Sequence, residues 1–183
     1  MSFTVSQEEN LIFQSYWTVC FLIELKNNAF TNSDYYDSIT FADPIVKEVI
    51  RNLGVDNQGS LLMSLYAMLV IPKQLLKNLH SDEFDKIQKF LHANTANTTT
   101  TYHEDQPTID YLRHIRNAVA HARVSFRPDD VVIFQDTDTK GKSSFSTELS
   151  LQKVGEFIHR LQMVHVKHIQ YRQLEQLRER HSI

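Results

Sequence analysis

The chain has 183 residues, 42% of them apolar, a net charge of −3, four glycines and four prolines. That length suffices for one domain, read here as residues 1–183, with a real core, and so few Gly and Pro favour long helices over a turn-rich all-β fold. The lone cysteine, Cys20, excludes an intrachain disulfide and a cysteine-based zinc site, and its apolar surroundings mark it as an inert core residue.

Ser6 and Glu9 have capping-box spacing and open a long helix to about Asn28 that is apolar on most sides. A polar connection from Asn27 to Thr40 carries Tyr35 and Tyr36, which suit packing over a bundle end better than base stacking. Asp43-Pro44 starts a short helix ended by Gly54. Ser60 is the expected cap of an apolar helix from Leu61 to about Leu79, which Pro72 should kink or divide. The uncharged run Leu61 to Ile71 is too short to span a bilayer. With an acidic amino terminus and no basic leader, it points to a cytoplasmic protein without a membrane partner.

Ser81 starts the next helix, with Phe84, Ile87, Phe90 and Leu91 as its buried side. Asn94 to Thr101, NTANTTTT, reads as a mobile polar loop. Pro107 is taken to open a helix that runs through Tyr111 to Val124, YLRHIRNAVAHARV. Leu112, Ile115, Ala118, Val119 and Ala122 form its apolar stripe, while Asn117 and His121, four apart, share a polar face flanked by Arg113 and Arg116.

Asp130 to Asp136 and Ser143 to Leu149 then read as strands of a β-hairpin, with turn-rich TDTKGK between them. Ser150 caps a last helix whose stripe includes Val154, Ile158, Leu161, Val164, Tyr171 and Leu174; its final turns, Arg172 to His181, are charged and should project into solvent. His159, His165 and His168 on that helix lack an acidic or cysteine neighbour in sequence. They are expected to be surface or half-buried residues, with no metal site.

Charge is unevenly spread. Residues 1–59 carry −5, while residues 107–128 and 150–183 each carry +3. If the two basic helices are neighbours they form a local positive patch, although two ordinary solvated faces explain the same counts.

The run Arg116-Asn117 followed by His121, within HIRNAVAHA, resembles the Arg–polar–x–x–x–His motif of the HEPN superfamily. The resemblance is close over Leu112 to Val124 and architectural elsewhere. It implies a mainly all-α antiparallel helical bundle, here with the small β-hairpin between the motif helix and the last helix. Many members are metal-independent endoribonucleases of toxin–antitoxin and phage-defence systems, in which two motif helices face each other across a homodimer. The implied catalytic set is Arg116, Asn117 and His121 from both protomers, with RNA as substrate, no cofactor, and an antitoxin protein as a candidate partner.

The residue types suit that chemistry. RNA cleavage without a metal requires a base for the 2′-hydroxyl, a cation for the phosphorane and an acid for the departing 5′-oxygen. Histidine titrates near neutrality, and arginine offers a permanent charge on a planar fork. Asn117 can orient His121 or hold a phosphate oxygen. Arg113, His114 and Arg123 are further candidates for RNA phosphate contacts. Ordinary structural roles stand beside these: His121 as a helix cap, Asn117 bound to a loop carbonyl, Arg116 paired with a carboxylate. A catalytically inactive HEPN-like module that binds RNA, a nucleotide or a protein is the alternative function. Where members paired with a nucleotidyltransferase antitoxin carry a modified Tyr two residues after the His, this chain has Arg123, which disfavours that mode of control.

Overall fold

A computed structural model describes residues 6–181. The chain divides into two compact units, the first ending at Ala67 and the second beginning at Met68.

In the first unit, helix α1 spans Gln7–Asn27. The Glu9 backbone N–H donates to the Ser6 hydroxyl at 3.2 Å, and the Ser6 N–H donates to the Glu9 carboxylate at 3.1 Å, so the expected capping box is present. Leu11, Trp17 and Phe21 on this helix are exposed. After a 3₁₀ turn at Phe30–Asn32 comes α2, Asp34–Ser38, which buries Tyr36 and leaves Tyr35 in solvent. The Tyr36 hydroxyl donates to the Lys47 carbonyl at 2.7 Å, an ordinary packing role. Helix α3, Pro44–Leu53, is capped by Asp43 and stops at Gly54, whose φ of +77° a glycine adopts without strain. Helix α4, Gln58–Leu65, starts earlier than expected because Asn57, not Ser60, is its cap. The Asn57 amide group serves both sides of the junction: its oxygen accepts from Ser60 N–H at 3.1 Å and its nitrogen donates to the Gly54 carbonyl at 2.8 Å.

A π-helical turn, Tyr66–Val70, continues the chain, and Pro72 separates it from α5, Lys73–Leu79. The second unit then adds α6, Ser81–Asn94, α7, Tyr111–Ala120, and α8, Leu151–His181. The Lys153 N–H donates to the Ser150 hydroxyl at 3.3 Å, as the expected cap requires. The side chains of residues 179–181, part of the charged end expected in solvent, lie outside those described. Before them, Tyr171, Leu174 and Leu177 are exposed and the Arg172 side chain is half-buried.

The fold is mainly helical, but its β component exceeds a hairpin. Strands β1 (Ala96–Thr100), β2 (Val124–Arg127), β3 (Val131–Thr137) and β4 (Ser144–Ser150) form an antiparallel sheet in the order β1-β4-β3-β2. The expected hairpin is its centre, with Phe134 opposite Thr147 and Asp136 opposite Phe145. The supposed mobile loop is β1. Its threonines are β-branched and fit a pleated edge, and Thr98 and Thr147 share a hydrogen bond of 2.7 Å across the pair.

One sheet face carries Val132, Phe134, Asp136, Phe145, Thr147 and Leu149, all buried. Helix α7 lies along β3, and α6 packs against both α7 and α8. Phe157 and Leu161 of α8, Leu91 of α6 and Ile115 of α7 are fully enclosed. Burying each such side chain contributes about 1.5–3 kcal/mol, enough to hold four helices and a sheet in register. His165 and His168, expected near the surface, are buried. Both follow the α8 core positions Leu161 and Val164 at helical spacing. Among the described residues, no helix is long and apolar enough to cross a membrane.

Candidate functional site

The motif helix is shorter than its sequence pattern suggests. Pro107 follows a cis peptide bond and lies before the helix, which begins at Tyr111 with Asp110 as its cap. The Asp110 carboxylate accepts from Arg113 N–H at 3.0 Å. Gln88 of α6 pins the same turn, accepting from Leu112 N–H at 3.1 Å and donating to the Ile109 carbonyl. At the other end His121 is the C-cap, Ala122 has a left-handed φ of +52°, and Val124 already belongs to β2. The Arg123 N–H reaches the Ala118 carbonyl at 2.8 Å and the Ala122 N–H reaches Val119 at 3.2 Å, the bonding pattern of a Schellman end. Ala122 is therefore not part of a helical apolar stripe, and the helix does not reach Val124.

The polar residues of α7 divide between two environments. His114, expected beside a phosphate, is fully buried. It falls on the core side with Tyr111, Ile115 and Ala118, at spacings of three, four and seven. Its ring stacks on Phe145, with centroids 4.3 Å apart and planes at 11°, and Tyr102 lies 4.6 Å away. Nδ1 is 2.7 Å from Asp136, and Nε2 is 3.1 Å from both oxygens of Asp105. Thr100 donates its hydroxyl to Asp105, and Arg113 donates to the same carboxylate at 3.1 Å. Burial pushes both carboxyls up, but hydrogen bonds outweigh it and hold them below the ordinary range: Thr100 and His114 on Asp105, His114 and Asn117 on Asp136. Burial and the negative charges of Asp136 and Asp138 push the Tyr102 phenol up to about 12.

Asn117 joins this buried network to the motif arginine. Its amide nitrogen donates to Asp136 at 3.0 Å, and its oxygen accepts from Arg116 at 2.6 Å. Arg116 is half-buried, and no carboxylate forms an ion pair with it among the described residues. Burial depresses its guanidinium below the ordinary value, Asp110 and Asp136 oppose that fall, and the Arg113 charge adds to it. His121 is exposed; its backbone N–H donates to the Asn117 carbonyl at 3.0 Å. Asn117 thus meets His121 through the main chain only, its side chain being occupied by Asp136 and Arg116. Arg123 is exposed on the sheet edge and donates to the Thr137 carbonyl at 2.9 Å.

The structure thus joins Arg116 to Asn117, places His121 at the end of the same helix, and draws Arg113 and His114 toward Asp105. Asp105, Asp136 and Tyr102 were not among the candidates from sequence. For Asp136 a signal existed: reading β3 with a period of two from Val132 and Phe134 turns Asp136 inward. For Asp105, on a 3₁₀ turn at His103–Asp105, no local pattern existed.

The arrangement offers a half-buried cation backed by a hydrogen-bonded carboxylate and an accessible imidazole on one short helix. A phosphate can be held by the first, and the second stands exposed at the end of the same helix. Among the described residues, no group of three or more His, Cys, Asp or Glu side chains is placed to hold a metal ion.

A family model described as HEPN pEK499 p136 matches residues 6–172. No curated protein and no solved structure matches the chain. The family match runs from the cap of α1 through most of α8 and includes the whole of α7. The chain therefore belongs to the HEPN superfamily, in the family described as pEK499 p136.

Proposed function

We propose that this HEPN protein is a metal-independent endoribonuclease that works as a homodimer in the cytoplasm, in prokaryotic phage defence or toxin–antitoxin growth control. The observation that carries the reading is Arg116: a half-buried guanidinium that forms no ion pair among the described residues, held by Asn117, on the helix that ends in exposed His121. Asp110 and Asp136 favour its charge from a distance without pairing with it, which leaves guanidinium donors for a phosphate.

In this mechanism His121 of one protomer takes the proton of a ribose 2′-hydroxyl, and the 2′-oxygen attacks the adjacent phosphorus. Arg116 holds the negative charge of the phosphorane. The bond from phosphorus to the 5′-oxygen breaks, and the second protomer's His121 protonates that oxygen. The products are a 2′,3′-cyclic phosphate and a 5′-hydroxyl. Asp136 and Asn117 act one step back, fixing the Arg116 fork. Arg123, standing where a modified Tyr serves members with a nucleotidyltransferase antitoxin, favours a stand-alone role or an antitoxin of another kind.

A second reading is a catalytically inactive module that binds RNA, a nucleotide or a protein. It is favoured by the Asn117 side chain being bonded to Asp136 and Arg116 and not to the His121 ring. Cleavage of labelled tRNA and mixed single-stranded RNA in excess EDTA separates the two. Cleavage by wild type that is lost in Arg116→Ala and His121→Ala supports the nuclease. Absence of cleavage from a verified dimer across several RNAs favours the binding module.

A further inference from the structure

A groove of about 640 Å³ runs between α6 and α8 and takes no lining residue from α7. Lys167 pairs with Glu83 at one end of it, and Arg160 lies over the Phe90 ring at 4.3 Å toward the other, so the two helices run antiparallel. From Gly155 to Lys167 the α8 wall is about 18 Å long, a little over three turns. Ile87 and the exposed Met163 supply its apolar lining. We infer that this groove is the docking site for an acidic amphipathic helix of another protein, laid against the α8 backbone at Gly155.

Gly155 has no reason within the chain to be a glycine. It lies inside α8, where glycine costs stability relative to alanine, and its φ is not in the left-handed region. Beyond its own helix backbone, a Cβ at this position would meet no described atom within 4 Å. The missing side chain therefore relieves no contact inside the protein. It leaves room on the groove wall for a backbone that approaches from outside.

Charge selects the kind of helix. Among the Lys, Arg, Asp and Glu residues of the groove and their ion-pair partners, the balance is positive once the pairs are counted. Lys86 and Lys167 share the single carboxylate of Glu83. Lys153 and Glu156 neutralise each other at 2.8 Å. Arg160 is exposed and has no ion pair or hydrogen bond among the described residues. One positive charge remains at the lysine pair and another at Arg160, seven residues apart along α8. Acidic residues at the same interval on a docked helix share a face and meet both, with apolar residues between them against Ile87 and Met163. An RNA strand fits less well. Its phosphates repeat at every nucleotide and would meet Glu83 and Glu156, whereas a peptide places its carboxylates singly.

This docking site goes beyond the nuclease reading and depends on no residue of it. The test is a displayed library of helices of roughly four turns, sorted on the full wild-type chain and counter-sorted on Gly155→Leu. Leucine is a good helix former and fills the groove. Recovered helices are synthesised as peptides and titrated by fluorescence anisotropy.

They should be acidic and amphipathic, and should bind wild type about tenfold or more tightly than Gly155→Leu or Arg160→Glu. Lys140→Glu, the same charge change on an exposed residue outside the groove, should leave their affinity unchanged. Gly155→Ala should raise the thermal midpoint, because its methyl meets nothing in the chain, and still weaken binding. The inference is overturned if no recovered helix tells wild type from Gly155→Leu, or if the recovered helices are basic or indifferent to Arg160→Glu. A lower thermal midpoint in Gly155→Ala would give the glycine a structural reason and overturn it too. Self-association of wild type in sedimentation that is lost in Gly155→Leu would assign the groove to a second copy of the chain instead. Labelled RNA whose affinity falls in Gly155→Leu would assign it to RNA. Either result overturns the partner helix.

Discussion

The Asn117 side chain donates to Asp136 at 3.0 Å, so a residue of the motif itself fastens α7 to the middle of the sheet. Asp136 also lies 2.7 Å from His114 Nδ1, and Asn117 accepts from Arg116. The position of Arg116 thus depends on a buried carboxylate nineteen residues beyond Asn117. On the nuclease reading, Asp136 and Asn117 are positioning residues for Arg116.

Removing Asp136 should therefore have two effects. Asp136→Ala leaves His114 and Asn117 without their shared acceptor, at a cost of about 3–5 kcal/mol in urea unfolding. In the double-mutant cycle of Asp136→Ala with Asn117→Ala, a coupling of about 1 kcal/mol or more is expected. Additive effects would sever the proposed link between the network and Arg116.

Arg116→Lys tests the planar fork. Lysine keeps the charge but does not hold the Asn117 oxygen and a phosphate with fixed donors. On the nuclease reading, the cleavage rate should fall about 10²-fold while RNA affinity changes little. The same loss in affinity as in rate would assign Arg116 to binding alone.

Acid should loosen the second unit before its carboxylates titrate. Burial is the main cause that lowers the His165 pKa to about 4, a carbonyl contact with Leu161 opposes it, and the charges of His168 and His80 add to it. His80 is lowered in the same direction, by burial and then by Lys167, with Glu83 opposing. A histidine whose folded pKa lies below its unfolded value binds its proton more readily when unfolded. Its stabilising contribution is thus complete above about pH 6.5 and is lost as pH falls toward about 4. The loss for His165 is on the order of 3 kcal/mol. Unfolding measured between pH 7 and 4 should show this slope, and His165→Leu should flatten it. Asp105 and Asp136, both depressed, add a further loss only as pH falls below about 4 through their folded values.

Ala122→Gly should stabilise the protein. Ala122 holds a φ of +52° at the helix end, a conformation that costs an L side chain about 1 kcal/mol and glycine almost nothing. The thermal midpoint should rise by a few degrees. A fall would mean that the methyl group packs more favourably than its strain costs.

Local chemistry made much of the architecture legible in advance. The caps at Ser6, Asp43 and Ser150, the break at Pro72 and the buried side of α6 all depend on residues within a turn or two of each other. The β3–β4 hairpin followed from alternation and a turn-rich link, and the motif from a spacing within one helix. Local patterning failed at the ends of α7. A helical period continues to Ala122, but the Gln135 N–H donates to the Arg123 carbonyl as the chain enters the sheet, and pairing with β3 outweighs helix propensity.

What the sequence by itself determined was the helical class, the starts of α1, α3, α6, β3, β4 and α8, and the chemical identity of Arg116, Asn117 and His121, because these rest on short-range spacing. Only the tertiary structure decided that NTANTTTT holds an edge strand, that His114 lies between two carboxylates, and that Lys77 joins Arg113 and Arg116 around one cavity. Those relationships link residues from different elements, and burial sets their energies. Neither is encoded at any fixed interval along the chain.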